Sequence, residues 1–357
     1  MLYGLLLVEC LPQVGNIMNS KTGPIFVIGN SRSGTTMLAQ IMGRNSTIFS
    51  FNELHFFEQI WSTSDTGVFL DRDAAVNLYS YLLSVQRDGL FAPRDISKYI
   101  IEARNVFVKF KESLFTKAWV FRVFISVEAA ANGKVISLEQ TPRNVFYIND
   151  IKKLFPDSRF INIVRDPRAV LLSQKNKWKL RYLGLDKIPF TEAIRAWSNY
   201  HPIVMSKLWC SGINVAHSFD GSDYVRTIKF EELVERPDDV ISSLCEWLGV
   251  PYEQDMLNIN YWGSSREKTE ENRKGIQANV ATSWKKGGLS QEELYISQMF
   301  TSAIGRSYGY TPVPTNYSLI KLAYLYVLLP FKLSVALMLN LHRMRNIVDT
   351  LKRRLAS

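Results

Sequence analysis

The chain has 357 residues, 46% of them apolar and 21% charged, with a formal net charge of +10. That composition excludes a disordered or fibrous chain and gives enough length to bury a sizeable core in one large domain or two modest ones. The positive balance favours an anionic partner (a polyphosphorylated cofactor, a sulfated polymer, nucleic acid or an acidic membrane) without choosing among them. In chain order, the leader "MLYGLLLVEC" holds a short apolar run, Leu2 to Val8, with no preceding Lys or Arg and with Glu9 closing it. It is a poor signal peptide and too short to span a bilayer. Met18 offers an alternative start, so residues 1–23 read as a leader of unclear role. Ile25 to Ile28 reads as a buried strand ending at Gly29, and a helix follows from Thr35 or Thr36 to Gly43. Residues 74–131 carry helical periodicity. "KVISL" (134–138) is a second strand leading into "EQTPRN" (139–144), and "RFINIV" (159–164) is a third leading into "RDPRAV" and a helix. Residues 190–210 read as a helix around Trp197 disturbed at Pro202, "YVRTIKF" (224–230) as a strand, and "PDDVISSLCEWLG" (237–249) as a helix opened by Pro and acids and closed by Gly. Strands alternating with helices predict an α/β fold with a central parallel sheet flanked by helices. Residues 258–288 are polar and read as a loop.

The loop after the first strand, "GNSRSGTT" (29–36), has the glycine spacing of a phosphate-binding loop, Gly29 and Gly34, and Thr36 where a Ser or Thr belongs. Thr35 stands where a nucleotide triphosphatase carries lysine, and Arg32 lies inside the loop. Backbone N–H groups at a helix N-terminus attract an anion, Gly34 permits close approach, and Arg32 adds a planar fork for phosphate or sulfate oxygens. A strand ending in Asp for magnesium is also missing, since "FINIV" runs into Arg165. Arg165, with Ser173 eight residues on, is a second anion candidate, and "RKG" (Arg273, Lys274, Gly275) is a third. Cys10, Cys210 and Cys245 lack metal or redox spacing and read as reduced and structural. His201, His217 and His342 have no metal spacing, and no aromatic–basic motif of a nucleic-acid binder appears.

Together these pieces resemble the sulfotransferases that use 3′-phosphoadenosine 5′-phosphosulfate (PAPS), over roughly residues 24–310. "RSGTT" (32–36) is similar to the loop that binds the 5′-phosphosulfate, "RDPRAVLLS" (165–173) to the 3′-phosphate motif, "RKG" to the late loop that closes on the same phosphate, and "KFEELVERPDDVISSLCEWLGVP" (229–251) to a strand–helix segment typical of the family. The resemblance implies a P-loop nucleotide-kinase-like sulfotransferase fold over 24–312. It implies sulfuryl transfer from PAPS to an acceptor hydroxyl with no obligatory metal. Arg32, Ser33, Gly34, Thr35, Thr36, Arg165, Ser173, Arg273, Lys274 and Gly275 would hold the donor. "NELHFF" (52–57) resembles the "E-x-H-F-F" pattern of glycan sulfotransferases, which implies Glu53 as the base and His55 as its partner. Two residues apart on an extended segment, both would lie on one face. Many relatives read Glu-Lys-(Ser/Thr)-Pro where this chain has "EQTP", so Gln140 replaces a reactive-centre lysine. Either Arg32 and another Lys supply that charge, or turnover is slow, or the acceptor differs, and Arg143 is a nearby candidate. A P-loop small-molecule or nucleotide kinase, and a non-catalytic sulfotransferase-like membrane-associated protein, stay open as alternatives.

Residues 317–341 are strongly apolar, interrupted by Lys321, Pro330 and Lys332, and lead into a tail with Arg343, Arg345, Lys352, Arg353 and Arg354 against one acid, Asp349. Pro330 is expected to split the run into two pieces of about ten residues, short of the ~20 a span needs. A C-terminal segment, 313–357, making peripheral membrane contact through 317–354 is therefore expected. With no N-terminal anchor evident, the expected setting is cytoplasmic, at a membrane face, on a carbohydrate or glycolipid acceptor.

Overall fold

The computed structural model describes residues 23–90, 95–179, 189–259, 275–276, 280–341 and 347–355. Its centre is a five-stranded parallel sheet built from β1 (Ile25–Gly29), β2 (Ile48–Ser50), β5 (Ile136–Glu139), β6 (Arg159–Val164) and β7 (Val225–Lys229), in the order β2-β5-β1-β6-β7. A small antiparallel pair, β3 (Leu70–Asp71) and β4 (Leu114–Phe115), lies apart from it. β1 is flanked on both sides, in register from Ile25 opposite Arg159 to Gly29 opposite Ile163. Its alternation is that of a strand covered on both faces. Phe26 and Ile28 enter one apolar cluster, and Ile25 and Val27 enter the other.

The helices divide accordingly. One face is covered by α2 (Arg72–Asp88), α3 (Ser97–Phe107), α4 (Lys117–Ala131) and α5 (Ile148–Leu154), whose Tyr79, Phe107, Phe121 and Phe124 build an aromatic core with Phe26 and Phe160. The other is covered by α1 (Thr35–Gly43), α9 (Phe230–Glu235) and α10 (Pro237–Leu248). Beyond β6 stand α6 (Pro167–Lys175), α7 (Phe190–Asn199), α8 (Pro202–His217) and α11 (Gln291–Ser307), followed by α12 (Leu319–Asn340) and α13 (Ile347–Leu355).

Several boundaries differ from the sequence reading. β2 was not foreseen: three residues at the sheet edge give alternation nothing to register. The helix expected over 190–210 is two helices, with Pro202 opening the second. His201 caps that second helix, its Nδ1 accepting from the Ile203 N–H at 3.3 Å. Pro330 does not split the apolar run. It lies inside one helix of 22 residues, and an internal proline costs one backbone hydrogen bond without ending the helix here. α12 is instead held along α7. His201 Nε2 donates to the Leu325 carbonyl at 3.0 Å, Lys332 Nζ donates to the Trp197 carbonyl at 2.8 Å, and Asn340 Nδ2 donates to Asn199 Oδ1 at 2.8 Å. Lys332 is thereby turned inward over the Trp197 ring, 3.4 Å from its centroid, and the helix's outer face is left apolar.

Candidate active site

The loop at the carboxyl end of β1 is shaped by two glycines. Gly29 has φ 139°, and a Cβ there would meet the Ile163 carbonyl at 2.5 Å. Gly34 has φ 101° and sits against Phe230, where a Cβ would fall 2.4 Å from the ring. Between them Arg32 takes φ 75°, a left-handed conformation that costs a non-glycine residue of order 1–3 kcal/mol and has to be held by its surroundings. It is held. Arg165 Nη1 donates to the Arg32 carbonyl at 3.0 Å, and Gln174 Nε2 donates to the Ser31 carbonyl at 3.2 Å. The Arg32 side chain in turn donates through Nε to Ser173 Oγ at 2.9 Å.

Three of the expected anion residues, Arg32, Arg165 and Ser173, are thus brought together at the loop. Arg32 and Ser173, 141 positions apart in sequence, are in direct contact, and Arg165 lies beneath them. Arg165 is not paired with Asp166. That carboxylate is taken by Arg168, through Nε at 2.9 Å and Nη2 at 2.7 Å. Arg165 spans instead from the loop to the Val280 carbonyl, 2.8 Å from Nη2, and stacks over Phe230. Burial, more than any neighbour, pulls its guanidinium down to about 10. α1 starts at Gly34 with no side-chain cap, so its first-turn N–H groups are left for a ligand. Ser33 Oγ and Arg165 Nε are buried, and neither has a hydrogen-bond partner among the described residues. Uncapped N–H groups, a hydroxyl and two guanidinium groups are the donor set that a phosphosulfate requires, so the residues fit such a group. Thr35 is buried and Thr36 is exposed at the start of α1. Of "RKG", Gly275 donates its N–H to the Ile259 carbonyl at 2.9 Å, while Arg273 and Lys274 lie outside the described residues.

Glu53 and His55 meet, but not on an extended segment as expected. His55 is left-handed (φ 50°) and caps a single π-turn, Phe56–Ile60. Its Nε2 is 3.1 Å from Glu53 Oε2, and its Nδ1 is 3.3 Å from Glu58 Oε2. Burial pulls His55 down, yet the two carboxylates overcome it and raise the imidazole to about 9. It is therefore an imidazolium at neutral pH, donating from both nitrogens. Burial would raise Glu53, but His55 first, then Lys177 and Arg143, hold it below the usual carboxylate range. Its side chain keeps 39% of its surface exposed, against 3% for Glu58, so Glu53 is the open end of this chain of charges.

The "EQTPRN" stretch frames the segment that carries Glu53, His55 and Glu58. Glu139 accepts from the Leu54 N–H at 3.1 Å, the Thr141 N–H at 3.0 Å and Asn144 Nδ2 at 2.7 Å. Thr141 Oγ1 accepts from the His55 N–H at 3.1 Å. Arg143 donates to Glu58 Oε1 at 2.5 Å. Gln140 is buried, and its Oε1 has no partner among the described residues. Sequence reasoning did not single out Lys177 or Glu58. Lys177 comes four residues after Ser173, just beyond α6, and shares an electrostatic environment with Arg32, Glu53 and Arg143. Burial first, and Arg32 second, bring its ammonium down to about 8. Next to it, Trp178 opens an apolar groove of about 290 Å³ completed by Phe190, Ala193, Ile194 and Trp197.

A parallel α/β sheet with an uncapped, arginine-lined phosphate loop at its carboxyl edge defines the class, and comparison with known proteins supplies the family. The family model described as "Sulfotransferase family" matches residues 24–254, and the chain belongs to that family. Among curated proteins it is similar to an uncharacterized protein of Aquifex aeolicus (strain VF5), 26% identical over 269 residues, covering 74% of this chain and 30% of that one. It is also similar to the nodulation protein NoeE of Sinorhizobium fredii (strain NBRC 101917 / NGR234), 22% identical over 236 residues, covering 63% of this chain and 49% of the relative. The chain thus spans half or less of the curated relatives it matches. Among solved structures it is similar to the sulfotransferase domain from the curacin biosynthetic pathway, with 20% identity, a TM-score of 0.47, and coverage of 80% of this chain and 98% of that one.

Proposed function

We propose that this chain transfers a sulfuryl group from PAPS to an acceptor hydroxyl, and that the acceptor is a carbohydrate carried on a lipid. The observation that carries the reading is the contact of Arg32 with Ser173 above Arg165, at an uncapped helix N-terminus, within electrostatic reach of Glu53 through Lys177. Bound PAPS would supply an activated sulfuryl group on a phosphate leaving group. Arg32, Ser33, Gly34, Thr35 and Thr36 would cradle the phosphosulfate. Arg165 and Ser173, with Arg273, Lys274 and Gly275, would take the 3′-phosphate.

Glu53 takes the proton that the acceptor hydroxyl releases as its oxygen bonds to sulfur. His55 holds Glu53 through Oε2, which leaves Oε1 to face the acceptor. Arg32 and Lys177 would stabilise the charge left on the bridging oxygen of the leaving phosphate when its bond to sulfur breaks. Lys177 therefore provides the cation that Gln140 does not.

The lipid part of the acceptor is argued from surface chemistry. The groove of Trp178, Phe190, Ile194 and Trp197 begins beside Lys177, and Phe190 and Trp197 are themselves exposed. α12 extends that apolar surface with Leu319, Ile320, Val327, Phe331 and Met338. By length and composition it is the one helix among the described residues that could cross a membrane. Because it is bound along α7, which belongs to the domain, an interfacial seat suits it better than a span. The test is transfer of labelled sulfate from PAPS to paired acceptors, a sugar and the same sugar on an acyl chain, with Glu53→Gln as the control. Transfer to the lipid-linked sugar, absent in the variant, is expected. Undiminished transfer by Glu53→Gln would remove Glu53 as the base.

A further inference from the structure

The C-terminal helix reaches back to the base. Glu58 is buried, and its Oε2 faces His55 Nδ1 at 3.3 Å while its Oε1 takes two arginines, Arg143 at 2.5 Å and Arg354 of α13. The two arginines differ in setting: the Arg143 side chain is 42% exposed and that of Arg354 only 13%. α13 is docked by one face. Thr350 is buried against Tyr147, and Arg353 donates to the Phe146 carbonyl at 3.1 Å and to Asp150 Oδ2 at 2.6 Å. The Arg353 guanidinium also lies 4.7 Å from the centroid of the Tyr147 ring. Thr350, Arg353 and Arg354 recur at helical spacing, so Arg354 is aimed at Glu58 by the same contacts that seat the helix.

We infer that Arg354 is a positioning residue for the catalytic base, and that α13, about a hundred residues beyond the end of the family match, completes the active site. The chain of charges alternates outward from the acceptor side: Glu53, His55, Glu58, then the arginine pair. A buried carboxylate needs its charge met and its lone pairs filled. Arg143 and Arg354 together fix Oε1 and so leave Oε2 pointing at His55. His55, held from behind, fixes Glu53. The groups facing Glu58 are His55 from the π-turn, Arg143 and Tyr147 from the turn before α5, and Arg354 from α13. Without Arg354 only the half-exposed Arg143 restrains Oε1, and the carboxylate can turn away from His55.

The inference rests on Glu53 acting as the base, and its test separates the two ideas. In the full chain, Arg354→Ala should lower kcat about tenfold, part of the 10²–10⁴ that a positioned base supplies, with KM for PAPS unchanged. Arg354→Lys should recover most of that loss. In a Glu58→Gln background, Arg354→Ala should add less than about twofold, because both changes break the same link. Independently of turnover, the ring signals of His55 should move in the NMR spectrum of Arg354→Ala while those of His201 and His217 stay in place. Unmoved His55 signals with wild-type kcat, or equal losses in both backgrounds, would overturn the inference. If His55 responds but the wild-type chain transfers no sulfate, the proposed activity falls and the Arg354–Glu58–His55 link stands.

Discussion

The sharpest consequence of the site concerns Lys177. Burial and the nearby Arg32 bring its ammonium down to about 8, so its charge changes within the working range. If that charge stabilises the leaving phosphate, kcat/KM for PAPS, which reports the free enzyme, should fall on the alkaline side of pH 8. With a midpoint near 8, about nine-tenths of the molecules carry the charge at pH 7 and about one-tenth at pH 9, so loss of this charge alone accounts for a fall of about tenfold between those values. kcat, which reports the complex, should hold to higher pH, because a bound anion favours the charged lysine. Lys177→Met should give a low profile without this limb. Lys177→Arg keeps the charge throughout, although its fork differs from an ammonium, so its plateau should be lower and its limb should move to about 9, where His55 loses its proton. The assay is initial-rate transfer of labelled sulfate from pH 6 to about 9.5. A limb near 8 that persists in Lys177→Arg would refute the assignment.

Other outcomes follow from the same geometry. Gly34→Ala puts a Cβ 2.4 Å from the Phe230 ring at φ 101°, so thermal unfolding should drop by about 1–4 °C, from strain of order 1–3 kcal/mol, and stabilisation by adenosine 3′,5′-bisphosphate should be lost. Arg165→Lys keeps the charge but cannot bridge Arg32 to Val280, and each such bond contributes about 1.5–3 kcal/mol when charged. Calorimetry should find the bisphosphate bound at least tenfold more weakly. Glu53 is held below its ordinary value by His55, Lys177 and Arg143 against the effect of burial, so it stays ionised and kcat should be level from pH 7 down to about 5. An acid limb centred near 6 would contradict that. Val327→Asp with Phe331→Asp, both on the exposed face of α12, should abolish co-sedimentation with anionic vesicles without changing the unfolding temperature.

The parallel sheet and its phosphate loop were legible because they are local. Ile25 to Gly29 and Arg159 to Val164 are continuous apolar runs ending at polar turns, and the glycine spacing of 29–34 survives without its lysine. The pairing of Arg165 was not legible. Asp166 stands next to it in sequence, yet Asp166 caps α6 and binds Arg168, and only the fold reveals that Arg165 is left for the loop. Glu53 and His55 could be named, but their contact comes from a left-handed turn at His55 that extended spacing does not predict. Glu58, Lys177 and Arg354 were missed for one reason. Each has a partner distant in the chain, and a charge run such as that of α13 reads as a tail for an acidic membrane until two of its arginines are found paired with Asp150 and Glu58. Pro330 misled because tertiary contacts with α7 keep the helix going through it.

The central claim is that the loop at Gly29–Thr36 is built for a phosphosulfate donor with a 3′-phosphate and not for a magnesium-bound triphosphate. Thermal unfolding with each ligand tests it most directly, since a ligand that binds only the folded state must raise the transition. Adenosine 3′,5′-bisphosphate at a hundred times its dissociation constant should add about 2.7 kcal/mol, a rise of about 4 °C for a chain of this size, and ATP with magnesium should add nothing comparable. Stabilisation by magnesium-ATP alone would contradict the account.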